Sequence, residues 1–209
     1  MPATPHLDDI VNQLSDDGYC IIPNFLQAPF AARLHQYANA IPSQFWSTAA
    51  VGRAQQQTIN TMVRNDRIRW LTDEHEPESA YLAIMDELRI WLNRQLFLGL
   101  FDYECHFAHY PSGAFYKKHL DAFKGRSNRR LTTVMYLNEN WQDEHGGQLV
   151  IYGERGQVLK QVKPERGTLV VFLSDKFVHE VLPSFRDRLS ITGWFRLNAS
   201  ISGIVDPPR

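Results

Sequence analysis

Two kinds of periodicity divide the chain. Over the first hundred residues the apolar positions recur at helical spacing. Leu7, Ile10, Val11 and Leu14 form one stripe, and Asp16-Asp17-Gly18 supplies a stop after it. A second helix is predicted from about Pro29 to Ala40, with proline in its first turn. A longer one runs from about Glu78 to Leu98, carrying Leu82, Met85, Leu88, Leu92 and Leu96 on one stripe. Between these helices, Gly18–Leu26 reads as a strand interrupted by Pro23, and Asp66–Leu71 as a short strand. The stretch 41–61 has no clean period and contains Gln55-Gln56-Gln57, which predicts a mobile loop or loose hairpin.

From Phe101 onward the period shortens to two. Phe101–Pro111 alternates, and apolar runs follow at Leu131–Asn138, Gly147–Tyr152, Gln157–Val162, Thr168–Ser174, Phe177–Leu182 and Arg188–Leu197. Turn residues separate them, among them Gly146-Gly147, Gly153, Pro164, Gly167 and Pro183. Helices followed by a block of about eight short, evenly spaced strands predict a β-rich α+β fold, a sandwich or jelly roll with N-terminal supporting helices. The expected layout is a single domain over 1–209, with 1–100 as helical support plus the loop at about 41–61, and 101–197 as the strand core. At 209 residues there is length for one well-buried core but not for a second full domain.

The net charge of −1 gives no global field to draw nucleic acid or an anionic membrane, so neither is an expected partner. MPATPHLDDI lacks a basic start and an apolar segment after it, which argues against a secretory signal. Cys20 and Cys105 both fall in strand-like apolar segments, where buried free thiols are expected over a disulfide. A reducing cytoplasm is the expected compartment.

The chemistry concentrates in His119-Leu120-Asp121, His179 and Arg188. On an extended segment, His119 and Asp121 at i and i+2 share one face. His179, from a distant strand, completes a two-histidine, one-carboxylate set of the kind that binds non-haem Fe(II) and leaves positions open opposite the protein ligands. Nine residues further on, Arg188 offers a planar fork suited to a carboxylate. Its competing reading is a surface pair with Asp187 or a glutamate. Ser190, Thr192 and Trp194 share the parity of Arg188, so a cavity-facing Arg188 puts Thr192 beside it and Trp194 at the far end. Tyr136 is either an inward phenol donating to the same carboxylate or a core tyrosine with its hydroxyl at the rim. Tyr110 and Tyr116 flank the turn Pro111-Ser112-Gly113 and either wall the pocket or simply pack. His106 and His109, of opposite parity, are read as structural or rim residues, and His145 as solvated. Lys117, Lys118, Lys124, Arg126, Arg129 and Arg130 form a local basic cluster, read as a solvated loop that can also steer an anionic partner.

These blocks resemble the Fe(II)/2-oxoglutarate-dependent dioxygenases that fold as a double-stranded β-helix (cupin-like). The segments HYPSGAFYKKHLD, TVMYLNENW, DEHGGQLVIY, GTLVVFLS, HEVLP and RLSITGWF, with VRNDRIRWL upstream, resemble the prolyl 4-hydroxylase branch, including bacterial relatives of the hypoxia-sensing enzymes. The resemblance implies that His119, Asp121 and His179 hold iron and that Arg188 and Tyr136 hold the C5 carboxylate of 2-oxoglutarate. It implies that Tyr110, Tyr116 and Trp194 line the pocket, that Thr192 lies near the co-substrate, and that Arg64 and Asp66 anchor the loop. It implies hydroxylation of a prolyl residue in a partner protein with release of succinate and CO2, using O2 and with ascorbate (vitamin C) as candidate reductant. Elongation factor Tu is a candidate partner by resemblance alone, and a monomer is expected. The alternatives are a hydroxylase of a free amino acid or other small metabolite and a non-catalytic metal and 2-oxoglutarate sensor. Asp121 disfavours halogenation, because it occupies the place a halide would need. Nucleic-acid demethylation is disfavoured because the chain lacks a global basic balance and because Ser190 and Thr192 follow the clamp without the further arginine expected in that branch.

Overall fold

A computed structural model describes residues 4–49, 60, 62–122 and 127–198. Two antiparallel sheets face each other, and helices cover the outer side of the larger one. The N-terminal half supplies helix α1 (Thr4–Asp16), strand β1 (Tyr19–Ile22), helix α2 (Ala28–Ala40), the short strands β2 (Ser47–Thr48) and β3 (Arg67–Trp70), and helix α3 (Glu78–Leu96). Eight strands follow: β4 (Leu100–Tyr110), β5 (Tyr116–His119), β6 (Arg129–Tyr136), β7 (Leu149–Tyr152), β8 (Val158–Val162), β9 (Leu169–Leu173), β10 (His179–Val181) and β11 (Arg188–Leu197). The large sheet has the order β1-β9-β6-β11-β4-β3-β2 and the small one β5-β10-β7-β8.

Strand alternation builds two cores from one sheet. Cys105, Phe107, Leu131, Met135, Leu169, Val171, Leu189, Ile191 and Phe195 point outward and pack with Ile10, Leu14, Leu34, Met85, Leu88 and Leu92 of the helices. The opposite parity (Ala108, Tyr110, Val134, Tyr136, Val170 and Phe172) meets Leu149, Ile151, Val162 and Val181 of the small sheet. Each fully buried leucine contributes roughly 1.5–3 kcal/mol on this scale of burial. Both Cys20 and Cys105 are buried free thiols, and burial pushes the Cys20 thiol up to about 12. No described helix is long and apolar enough to cross a membrane.

Several boundaries differ from the sequence expectation. Gly18, at φ +81, ends α1 as expected, with its N–H bonded to the Leu14 carbonyl at 3.1 Å. The strand after it stops at Ile22, however, because Pro23 cannot donate to a ladder and Asn24 turns into the left-handed region at φ 55. Helix α3 ends at Leu96 rather than Leu98, where Phe97 takes a left-handed C-terminal conformation. The first hundred residues are more than support, since β1, β2 and β3 all join the large sheet. Within the stretch read as a loop, Ser43–Phe45 forms a 3-10 turn and β2 pairs with β3. Residues 50–59 and 61 of that stretch lie outside the described residues. So do Lys124 and Arg126 of the basic cluster, whereas Arg129 and Arg130 are strand residues and not loop.

Candidate active site

The two histidines meet through strand pairing. His119 closes β5 and lies directly opposite His179, the first residue of β10, with ring centres 4.2 Å apart. Tyr116 stacks on His119 at 3.5 Å, and Phe172 of the large sheet meets His179 edge-on at 4.7 Å. Each imidazole is oriented by backbone. Nδ1 of His119 donates to the Lys117 carbonyl at 2.8 Å and Nδ1 of His179 to the Phe177 carbonyl at 3.0 Å. That tautomer leaves both Nε2 lone pairs free to act as ligands. Asp121 sits two residues past the end of β5 and not within it, yet its carboxylate still turns to the histidines. Oδ1 lies 3.4 Å from His119 Nε2, and Oδ2 3.7 Å from His179 Nε2.

The ligand atoms of His119, Asp121 and His179 all lie within 4.8 Å of one another. Burial would raise the Asp121 carboxyl, but His179, His119 and the Trp194 donor outweigh it and hold it well below the usual carboxylate range. Burial, followed by the neighbouring His119, depresses His179 to about 4, so its imidazole is neutral at physiological pH. Two imidazoles with Nε2 turned inward and an ionised carboxylate, one atom each and mutually close, fit a ferrous ion.

The second half of the site belongs to the large sheet. Arg188 is 1% exposed and lies opposite Tyr110 at the start of β11. Its Cζ is 4.8 Å from the Tyr110 ring centre and 5.1 Å from that of Tyr136. Nη1 reaches Ser190 Oγ at 3.3 Å, but Nε of Arg188 and the hydroxyl of Tyr136 are buried with no hydrogen-bond partner among the described residues. Burial raises the Tyr136 phenol while Arg188 opposes the rise, so the phenol keeps its proton and can donate it. A buried cation without an anion is costly, and a ligand carboxylate is the group that would satisfy both orphans. The competing surface pair with Asp187 does not form; Asp187 meets His109 at 3.2 Å instead.

Thr192 is half-buried on the same face, opposite His106 and Val134. Trp194, six residues along β11 from Arg188, turns to the histidine–aspartate group: its Nε1 donates to Asp121 Oδ2 at 3.0 Å. Arg64 and Asp66 form a two-point ion pair at 2.7 and 2.6 Å, and the Arg64 guanidinium lies 4.3 Å from the Tyr116 ring centre. Arg64 also bridges to Tyr116 through backbone, which ties the segment before β3 to β5. Of the two histidines read as structural or rim residues, His106 is buried between Trp70 and Trp194. His145 closes a capping box with Gln142.

Two residues escaped the sequence reading. Thr132 donates to Asp121 Oδ2 at 2.8 Å, and its hydroxyl also meets Ser174 at 2.9 Å. The signal for Thr132 was its parity with Val134 and Tyr136. Ser174 carried none beyond closing an apolar strand.

Comparison with known proteins agrees with this chemistry. Residues 105–196 match the 2OG-Fe(II) oxygenase superfamily. The chain is 29% identical over 204 residues to prolyl hydroxylase EGLN3 of Mus musculus, covering 90% of this chain and 82% of that protein. It superposes on the crystal structure of a Pseudomonas putida prolyl-4-hydroxylase with a TM-score of 0.84 at 40% identity, covering 92% of this chain and 100% of the other. A Trichoplax adhaerens prolyl hydroxylase, solved with a peptide of the hypoxia inducible factor oxygen degradation domain, gives 0.81 at 31% identity, with 92% and 89% covered. The orphaned guanidinium and phenol beside a two-histidine, one-carboxylate group therefore have a family: this chain belongs to the Fe(II)/2-oxoglutarate-dependent dioxygenases, in their prolyl hydroxylase branch.

Proposed function

We propose that the chain hydroxylates a prolyl residue in an exposed segment of a partner protein, using 2-oxoglutarate and O2 and releasing succinate and CO2. His119, Asp121 and His179 hold Fe(II) in this reading. Arg188 and Tyr136 seat the distal carboxylate of 2-oxoglutarate, with Tyr110 as the wall beside the guanidinium and Thr192 near the co-substrate. Tyr116 and Trp194 flank the reacting centre, and Arg64 with Asp66 fastens the edge where a polypeptide would enter. Bound Fe(II) supplies the oxidising chemistry. The protein residues fix the approach of co-substrate and substrate, and the buried inner face keeps bulk water away.

The observation that carries the reading is the pair of orphans, Arg188 Nε and Tyr136 Oη, on the inner face of the large sheet, the face whose Thr132 and Trp194 meet Asp121 of the histidine–aspartate group. A protein substrate is favoured over a free metabolite because the Trichoplax adhaerens relative holds a peptide. The whole chain acting as one domain, a cytoplasmic location, ascorbate as reductant and elongation factor Tu as a named partner belong to the same proposal. The test is incubation of the iron-loaded protein with 2-oxoglutarate and purified elongation factor Tu or host lysate, followed by mass spectrometry. Prolines heavier by one oxygen atom, absent when 2-oxoglutarate is withheld, are expected. Succinate formation driven by a free amino acid, with no modified protein, would overturn the prolyl reading.

A further inference from the structure

The carboxylate of Asp121 has four lone-pair sites on two oxygens, and the structure uses them unequally. Oδ2 accepts from Thr132 Oγ1 at 2.8 Å and from Trp194 Nε1 at 3.0 Å, which fills both of its sites. Oδ1, 3.4 Å from His119 Nε2, receives neither donor.

Both donors are themselves held. Thr132 Oγ1 meets Ser174 Oγ at 2.9 Å, and Ser174 is fully buried, its N–H bonded to the Arg130 carbonyl and its carbonyl bonded to the Ala122 N–H. Ser174 thus grips both the hydroxyl that holds Asp121 and the backbone one residue beyond it. On the other side, the Arg129 guanidinium lies 3.4 Å from the Trp194 ring centre and is fixed by Glu104, at 2.9 Å from Nε and 2.7 Å from Nη2. The aromatic face is covered by a cation that cannot swing away freely, so the indole N–H is aimed.

We propose that Thr132, seconded by Ser174, and Trp194, seconded by Arg129, are positioning residues that make Asp121 a one-oxygen metal ligand, presenting Oδ1 and withholding Oδ2. The inference rests on His119, Asp121 and His179 being the metal ligands. Its physical basis is that donors to a ligating carboxylate fix its rotamer before the ion arrives, so the cost of ordering Asp121 is not charged against metal affinity.

The test titrates Mn(II) into the metal-free full-length protein, reading free Mn(II) by electron paramagnetic resonance, with thermal unfolding of the metal-free variants alongside. Thr132→Val keeps the shape and removes the donor. It should weaken Mn(II) binding by about ten-fold or more. Thr132→Ser should restore it, and Ser174→Ala should lose several-fold. At saturating Mn(II), the affinity for 2-oxoglutarate should be unchanged in all three, which separates positioning of Asp121 from general disruption. A folded Thr132→Val that binds Mn(II) as tightly as the unaltered protein overturns the inference. Should Thr132→Val not fold, Trp194→Phe removes the other donor, and unchanged affinity there overturns it equally. His119→Ala is the control for the underlying reading. If His119→Ala abolishes Mn(II) binding while the Oδ2 donors prove dispensable, the positioning inference alone fails. If His119→Ala binds normally, the ligand assignment fails first.

Discussion

Arg188 and Tyr136 face each other across neighbouring strands, guanidinium carbon 5.1 Å from ring centre, each with a buried polar atom that none of the described residues satisfies. A carboxylate ligand is the group that would complete such a pair. Arg188→Met should raise the KM for 2-oxoglutarate roughly 10- to 100-fold, the equivalent of ~1.5–3 kcal/mol for a hydrogen bond to a charged group. Tyr136→Phe should raise it about five-fold, for ~1 kcal/mol. The ligand-free Arg188→Met protein should be no less stable than its parent, since an unpaired buried charge has gone. Succinate release measured against 2-oxoglutarate concentration checks the first two, and thermal unfolding the third. An unchanged KM in Arg188→Met would remove the clamp from the mechanism.

Gly147 controls the same pocket from the small sheet's side. Its φ is +68, and a Cβ there would sit 2.9 Å from Ser184 Oγ and 3.0 Å from Arg188 Cδ. Gly147→Ala should destabilise the protein by about 1–2 kcal/mol from the left-handed backbone alone. It should also raise the KM for 2-oxoglutarate by shifting the guanidinium stem. Denaturant unfolding and co-substrate kinetics on the one variant separate the two effects.

Asp121→Ala should abolish succinate formation and, in the same protein, the stabilisation by divalent metal. For the parent, Mn(II) at one hundred times its Kd should add about 2.7 kcal/mol to unfolding. Chelator should reverse the gain. An Asp121→Ala variant that keeps normal turnover of 2-oxoglutarate would refute the ligand set.

Burial and then the nearby Arg64 guanidinium push His106 from its ordinary 6.5 down to about 4. The folded protein therefore resists a proton that the unfolded chain accepts. The stability from this residue is fully present above pH 6.5 and is lost progressively as the pH falls toward 4, to a limit of roughly 3 kcal/mol. Comparing the pH dependence of the melting temperature between His106→Gln and its parent isolates the contribution. The variant should show the shallower fall across that window.

What could be read from the chain divides along physical lines. Parity along a strand is local, so Arg188, Ser190 and Thr192 could be put on one face from β11 alone, and the helical stripes likewise. Thr132 and Ser174 could not be found in this way. Their roles depend on β6 pairing with β9 and on both ending beside Asp121, a relation between three distant segments. Parity also places Trp194 on that face, but not its hydrogen bond to Asp121, because alternation fixes a side and not what an indole reaches. Arg129 was misread for a related reason. A run such as KGRSNRR has the composition of a loop, yet its arginine at 129 enters the ladder opposite Arg196, across a register shift, and covers Trp194. Pro23 was recognised as an interruption, but the left-handed Asn24 behind it made the break complete.

The pairing of His119 with His179 joins two strands of the small sheet, whereas Asp121 is tethered by Thr132 and Trp194 to the large one. A cation shared by all three would rivet the layers together at their open end. Amide protons of β5 and β10 should then exchange with solvent faster once the ion is stripped out, while those of β4 and β11, locked in the middle of the seven-stranded sheet, keep their pace.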